Sequence, residues 1–157
     1  MSKKILIFGG TGAIGFSIAK KIIEEGYTPI LISRNEEELV NKSKEINCEY
    51  EICDVLEQDQ IDQISNKHAD TVNGLAYCVG SINLKPLKIT KDTDFIESFK
   101  INTLGAINVI KSNIESLAKN NGSILLFSTI AVQQGFANHS VVSSSKGAIE
   151  GLTMSLA

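Results

Sequence analysis

Gly9-Gly10-Thr11-Gly12-Ala13-Ile14-Gly15 is the stretch whose residue types and spacing speak most directly of chemistry. Read from Gly10 it has the spacing G-x-G-x-x-G, set between a short apolar run and a segment of helical periodicity, where that spacing has a mechanism. Glycines permit a tight turn and let the backbone approach a pyrophosphate. The helix that follows presents free N–H groups and the positive end of its dipole to that anion. Gly9, Thr11, Gly12, Ile14 and Gly15 are therefore candidate dinucleotide contacts. About twenty residues farther on, an Asp or Glu would bind a ribose 2′-hydroxyl and favour NAD. The sequence instead has Ser33-Arg34, and Arg34 is the one arginine among fifteen basic residues. A guanidinium suits a phosphate better than a neutral diol, so NADP is the expected cofactor, with NAD the alternative. Glu36, Glu37 and Glu38 count against a phosphate there.

The elements that must position this loop follow from periodicity. Ile5–Phe8 is a continuous apolar run, the pattern of a strand buried on both faces. Ala13–Glu25 has Ile14, Ile18, Ile22 and Ile23 at helical spacing, with Gly26 at the C′ position. Ile30–Ile32 is a second buried strand, and Asn35-x-x-Glu38 opens a charged helix running to about Ile46. Glu49–Cys53, Leu75–Val79 and Ser123–Phe127 complete five strands, with a short helix over Leu56–Lys67. From Thr90 one long helix is predicted to about Lys119, its apolar face being Ile96, Phe99, Ile107, Ile110, Ile114 and Leu117, with Asp92 and Asp94 in the first turn. Residues after Asn138 read as helix to the end. Strands alternating with helices predict right-handed crossovers and an α/β fold with a doubly wound parallel sheet, in one domain spanning 1–157. Gly151–Ala157 has no charge and no stop signal, so the fold is expected to be incomplete at its C-terminus.

Composition narrows the function. The chain is 43% apolar and 21% charged with a net charge of −3, a globular balance without the basic excess that nucleic acid or an acidic membrane would call for. Cys48, Cys53 and Cys78 form no CxxC pair and the histidines are His68 and His139, so no zinc set is expected. Buried thiols and the absence of a long apolar run suggest a cytoplasmic protein.

Several segments together resemble the short-chain dehydrogenase/reductase family, over essentially the whole chain. Gly9, Ala13 and Gly15 fall where that family has G-x-x-x-G-x-G. Asp54-Val55 resembles its Asp-Val beside the adenine. Tyr77-Cys78-Val79-Gly80 stands where the family commonly has Asn-Asn-Ala-Gly, which makes Gly80 a cofactor contact. Asn102 resembles the helix asparagine that supports the catalytic lysine. Gly122–Ala131 resembles the fifth strand and serine loop, and Ser145-Lys146-Gly147-Ala148 through Ala157 the lysine helix. The resemblance implies hydride transfer between a nicotinamide cofactor and a small carbonyl or alcohol substrate, with Lys146 binding the cofactor.

That family's chemistry uses Ser, Tyr and Lys with Asn, the tyrosine one helical turn before the lysine. Four residues before Lys146 stands Val142, which has no proton to give. Thr129 falls at the serine position and keeps a hydroxyl, with Ser128 beside it. Thr129, Lys146 and Asn102 are the catalytic candidates, and His139 is the nearby side chain of a type that could pass protons. A dinucleotide-binding protein without turnover is the alternative. The helices at about 91–119 and 139–157 resemble those that pair between subunits, so a homo-oligomer is expected.

Overall fold

A computed structural model describes residues 3–157. It divides into two compact units, one built from the chain up to Cys78 with Asn108–Leu125, the other from Val79–Ile107 with Leu126–Ala157.

The first unit holds a five-stranded parallel sheet of β1 (Lys4–Phe8), β2 (Thr28–Ser33), β3 (Glu49–Ile52), β4 (Val72–Tyr77) and β5 (Ser123–Leu126), in the order β3-β2-β1-β4-β5. β1 lies centrally, with Phe8 opposite Ile32 on one side and Tyr77 on the other. Leu6, Ile7 and Phe8 are fully buried, as a strand covered on both faces requires. Helix α1 (Ala13–Glu24) sets Phe16 and Ala19 against Ile7, Leu31, Leu39 and Ala76. Each such aliphatic or aromatic side chain contributes on the order of 1.5–3 kcal/mol when removed from water. Gly26, at φ +82°, ends α1 in the left-handed conformation that a side chain resists.

Helix α2 (Glu36–Ile46) starts where its sequence signature puts it. The Asn35 Oδ1 accepts the Glu38 N–H at 3.2 Å, and three glutamates occupy the first turn. Helix α3 (Gln58–His68) begins two residues after the expected Leu56, because that segment is held as a turn. The Asp54 carboxylate accepts the Leu56 N–H at 3.0 Å and the Asp54 carbonyl accepts the Glu57 N–H. β4 starts at Val72 and ends at Tyr77, earlier than the predicted Leu75–Val79, and takes in Asn73-Gly74. A Cβ on Gly74 would stand 2.7 Å from the Ile5 Cδ1, so a glycine suits this interior position.

The second unit is helical. It contains a 3₁₀ turn at Leu87–Ile89, α4 (Asp92–Phe99), a π-helical turn at Lys100–Leu104, the start of α5 (Gly105–Lys119), the short α6 (Ala131–Gln134) and α7 (Ser140–Leu156). The single helix expected from Thr90 to Lys119 is thus interrupted. At the break the Gly105 N–H reaches back five residues to the Lys100 carbonyl. The apolar stripe read from the sequence is also not the buried face of this unit: Ile96 is 53% exposed and Phe99 39%, whereas Ser98, Asn102 and Thr103 are buried.

Candidate functional site

In the first unit the loop after β1 is shaped by its glycines. Gly9 has φ +80°, and a Cβ on Gly15 would drive into the Gly9 carbonyl. A Cβ on Gly10 would be 3.0 Å from both the Ile7 carbonyl oxygen and the Leu31 Cα. The loop is closed by the N–H groups of Gly9 and Gly10, both donating to the Ile32 carbonyl at 2.8 and 3.1 Å, and by the Gly12 N–H donating to Gly9 at 3.1 Å. Gly12 is the N-cap of α1 and provides no side chain to cap it. The first-turn N–H groups therefore keep their capacity for an anion. Ile14 is 56% exposed at this helix start, leaving the buried stripe to Phe16 and Ala19.

The Thr11 hydroxyl donates to the Ser33 hydroxyl at 3.2 Å, joining the glycine loop to the end of β2. Arg34 follows, exposed and without a hydrogen bond or ion pair among the described residues. Beyond β3, Asp54 uses its carboxylate on the backbone of Leu56 while its own N–H donates to the Gln60 Oε1 at 2.8 Å. Val55 is buried beside it at 7% exposure. Tyr77 is buried in β4, and burial pushes its hydroxyl well above the usual phenol range, so it stays protonated and serves as a sheet residue.

In the second unit Asn102 lies in the π-turn, fully buried. Its Nδ2 donates to the Ser81 carbonyl at 3.1 Å and to the Ser98 carbonyl at 3.0 Å, and its Oδ1 accepts the Ser81 N–H at 3.2 Å. The side-chain amide thus takes the carbonyl that a straight α-helix would offer to the Asn102 backbone N–H. Gly80 sits against this group: a Cβ there would be 2.8 Å from the Asn102 Oδ1 and 3.7 Å from the Lys146 Nζ. Gly80, Asn102 and Lys146 are therefore brought together.

The remaining candidates are occupied differently. The Thr129 Oγ1 accepts the Ala131 N–H at 3.3 Å at the start of α6 and still has its own proton to donate. Ser128 donates to the Glu150 Oε1 at 2.5 Å. Val142 is buried at 4% exposure. The His139 Nδ1 lies 2.7 Å from the Ala137 carbonyl, which can only accept, so Nδ1 carries the proton and neutral His139 has only an acceptor at Nε2. Among the described residues no His, Cys, Asp and Glu group could hold a metal ion, and no helix is long and apolar enough to cross a membrane.

The model of the short chain dehydrogenase family matches residues 3–157. The chain belongs to that family. It is 29% identical over 164 residues to carbonyl reductase family member 4 of Danio rerio and 30% identical over 163 residues to 3-oxoacyl-[acyl-carrier-protein] reductase of Mus musculus. Each alignment covers 100% of this chain and 69% of the relative. A short-chain dehydrogenase from Streptomyces avermitilis has the same fold, with a TM-score of 0.92 at 23% identity, over 100% of this chain and 60% of that one. Short-chain dehydrogenases are oxidoreductases that use a nicotinamide dinucleotide, and the glycine loop fits such a ligand on its own geometry. Its turn is closed by backbone hydrogen bonds and the adjoining helix start has no side-chain cap.

Sequence reasoning missed Ser81, Ser98, Thr103 and Ser145, the partners that fix Asn102 and α7. Ser98 and Asn102 stand four apart, on one face of a helix, and a polar pair at that spacing is the signal that marked a buried polar face.

Proposed function

We propose that this short-chain dehydrogenase is an NADP-dependent oxidoreductase acting on a small carbonyl or alcohol. The observation that carries the cofactor choice is Arg34, exposed and unpaired one residue past the Thr11–Ser33 hydroxyl pair. A guanidinium so placed is available to a 2′-phosphate, and no carboxylate takes the ribose position at Ser33. Gly9, Gly12, Gly15 and the α1 start receive the pyrophosphate, and Asp54-Val55 borders the adenine. Lys146 holds the nicotinamide ribose hydroxyls, Gly80 gives that end of the cofactor backbone clearance, and Asn102 supports the arrangement. The nicotinamide, when bound, supplies or accepts the hydride.

Thr129 donates a hydrogen bond from its hydroxyl to the substrate oxygen and fixes its orientation. With Val142 where the family resemblance puts a tyrosine, the proton for a nascent alkoxide comes from solvent, or from His139 in its doubly protonated form. General acid assistance is typically worth 10²–10⁴-fold, so turnover without the tyrosine is slow rather than absent. Val142 is also the observation behind a second reading, a dinucleotide-binding protein without turnover. The 3-oxoacyl-[acyl-carrier-protein] and carbonyl reductases among its relatives make ketone reduction the activity to assay first. For the assembly, the exposed Ile96, Phe99, Leu104 and Met154 suggest helix pairing with a second copy, which sedimentation tests directly.

The deciding experiment is titration of the chain with NADPH and NADH, followed by cofactor fluorescence. Saturable binding that prefers NADPH, with the preference lost in Arg34→Ala, is expected. No saturable binding by a chain that is folded by circular dichroism would overturn the reading. Val142→Tyr then separates the two alternatives: a raised ketone reductase rate supports the enzyme, and inert wild type and variant with cofactor bound support the binding protein.

A further inference from the structure

In the second unit a line of buried hydroxyls joins α7 to the π-turn. The Ser98 Oγ lies 2.9 Å from the Ser145 Oγ and accepts from the Asn102 Nδ2 at 3.1 Å. The Ser145 Oγ is 3.1 Å from the Val142 carbonyl and 3.3 Å from that of Val141. Ser98 is 3% exposed, Ser145 2% and Asn102 0%. Donor and acceptor accounting gives this line one direction. The amide nitrogen of Asn102 can only donate, and the carbonyls of Val141 and Val142 can only accept. Each serine has one proton. Ser145 spends its proton on a carbonyl, so Ser98 must donate to Ser145, and Asn102 must donate to Ser98. Both serines then donate and accept, with one Asn102 N–H shared between the carbonyl and the hydroxyl of Ser98 and the other given to Ser81.

The two ends of the line have separate anchors. Asn102 grips both the N–H and the carbonyl of Ser81, next to Gly80. Ser145 immediately precedes Lys146, and the Thr103 hydroxyl donates to the Ser145 carbonyl at 2.9 Å. We propose that Ser98 is a positioning residue: its hydroxyl, as the shared link between Asn102 and Ser145, fixes the turn of α7 that presents Lys146 toward Gly80. The proposal rests on the reading above in which Lys146 holds the nicotinamide ribose. Ser98 touches neither cofactor nor substrate and acts through Ser145 and Asn102.

The test compares two ligands on the full chain. NADPH carries the nicotinamide ribose assigned to Lys146, and adenosine 2′,5′-bisphosphate carries only the adenylate part and its phosphates. Ser98→Ala is expected to weaken NADPH by about three- to tenfold, the worth of one hydrogen bond, and to leave adenosine 2′,5′-bisphosphate unchanged. Ser145→Ala approaches the same line from its other end and should give the same pattern. Because one line is cut in each case, the double variant should be no weaker than either single. Ser98→Thr, which keeps the hydroxyl, should retain NADPH affinity.

Equal weakening of both ligands in Ser98→Ala would mean general loss of structure and overturns the proposal. So do an unchanged NADPH affinity in both singles, or effects that multiply in the double variant. A folded wild-type chain that binds neither ligand overturns the dinucleotide reading itself, and the positioning role with it. A wild type that binds both, with variants that fail to discriminate, overturns the positioning role alone.

Discussion

Replacing Gly80 with alanine probes the tightest approach in the candidate site. The added Cβ would lie 2.8 Å from the Asn102 Oδ1, where ordinary contact begins at 3.4 Å, so the two groups must separate by about 0.6 Å. Asn102 has nowhere to go: it is 0% exposed, and its amide is held by Ser81 and Ser98 on both sides. Movement of that size takes the Ser81 N–H to Asn102 Oδ1 bond, at 3.2 Å, out of hydrogen-bonding range. Losing one bond to a buried amide costs about 1–3 kcal/mol, which is a fall of roughly 3–10 °C in melting temperature for a chain of this size. Gly151→Ala is the internal control. Gly151 lies inside α7 with nothing within 4 Å of a new Cβ, so alanine there is expected to raise stability by about 0.5–1 kcal/mol. Thermal melts by circular dichroism on both variants give the answer. If Gly80→Ala melts with or above the wild type, Asn102 is not the fixed clamp that its hydrogen bonds describe, and the argument for the Gly80–Asn102–Lys146 grouping fails.

Three further outcomes follow from single interactions. Asn35→Ala removes the cap on the Glu38 N–H and should lower stability by about 1 kcal/mol in a denaturant melt, whereas Asn35→Asp should retain most of it. Burial pushes the thiols of Cys48 and Cys53 up to about 11, so both should react with iodoacetamide at pH 8 far more slowly than a free thiol. Peptide mapping of the labelled chain reads this, and rapid labelling of Cys53 would contradict its burial. The Lys85 ammonium, then the Lys91 N–H, hold the Asp94 carboxyl down to about 2. A carboxyl with a depressed folded pKa stabilises in full above the ordinary carboxylate range, and that contribution is lost as pH falls through about 2. Asp94→Asn should therefore flatten the acid limb of the stability profile, and an unchanged limb would show that the Lys85 pair contributes nothing.

Features governed by near neighbours in sequence were legible. The glycine loop, the Asn35 cap and the Gly26 stop each depend on a few consecutive residues, and the parallel α/β sheet follows from continuous apolar runs separated by helices. The break at Lys100–Leu104 was not legible, because it depends on contacts distant in sequence. The Asn102 side chain reaches Ser81, twenty-one positions away, while also taking the Ser98 carbonyl, and the backbone responds by shifting its hydrogen bond one residue farther. The same tertiary demand inverted the helix face. Periodicity picked out Ile96 and Phe99, yet the inward positions of α4 and the π-turn are Ser98, Asn102 and Thr103, whose polarity is compensated by hydroxyls and carbonyls of α7.

That inversion bears on what Val142 means. A polar face buried against α7 is costly unless each group finds a partner, and here Ser98, Asn102, Thr103 and Ser145 all do. An apolar set of similar volume would pack as stably and would ask less of geometry. What hydrogen bonds add is a fixed register, and the register they fix is that of the α7 turn leading into Lys146. Val142 brings no proton donor to this turn, while its backbone is in use, since its carbonyl closes the hydroxyl line from Asn102. The side chain at position 142 and the setting of Lys146 are thus separable in this chain. On the proposed function, proton delivery and cofactor positioning are expected to respond to different substitutions: Val142→Tyr should change turnover with little effect on NADPH affinity, and Ser98→Ala should change NADPH affinity whether or not turnover is present.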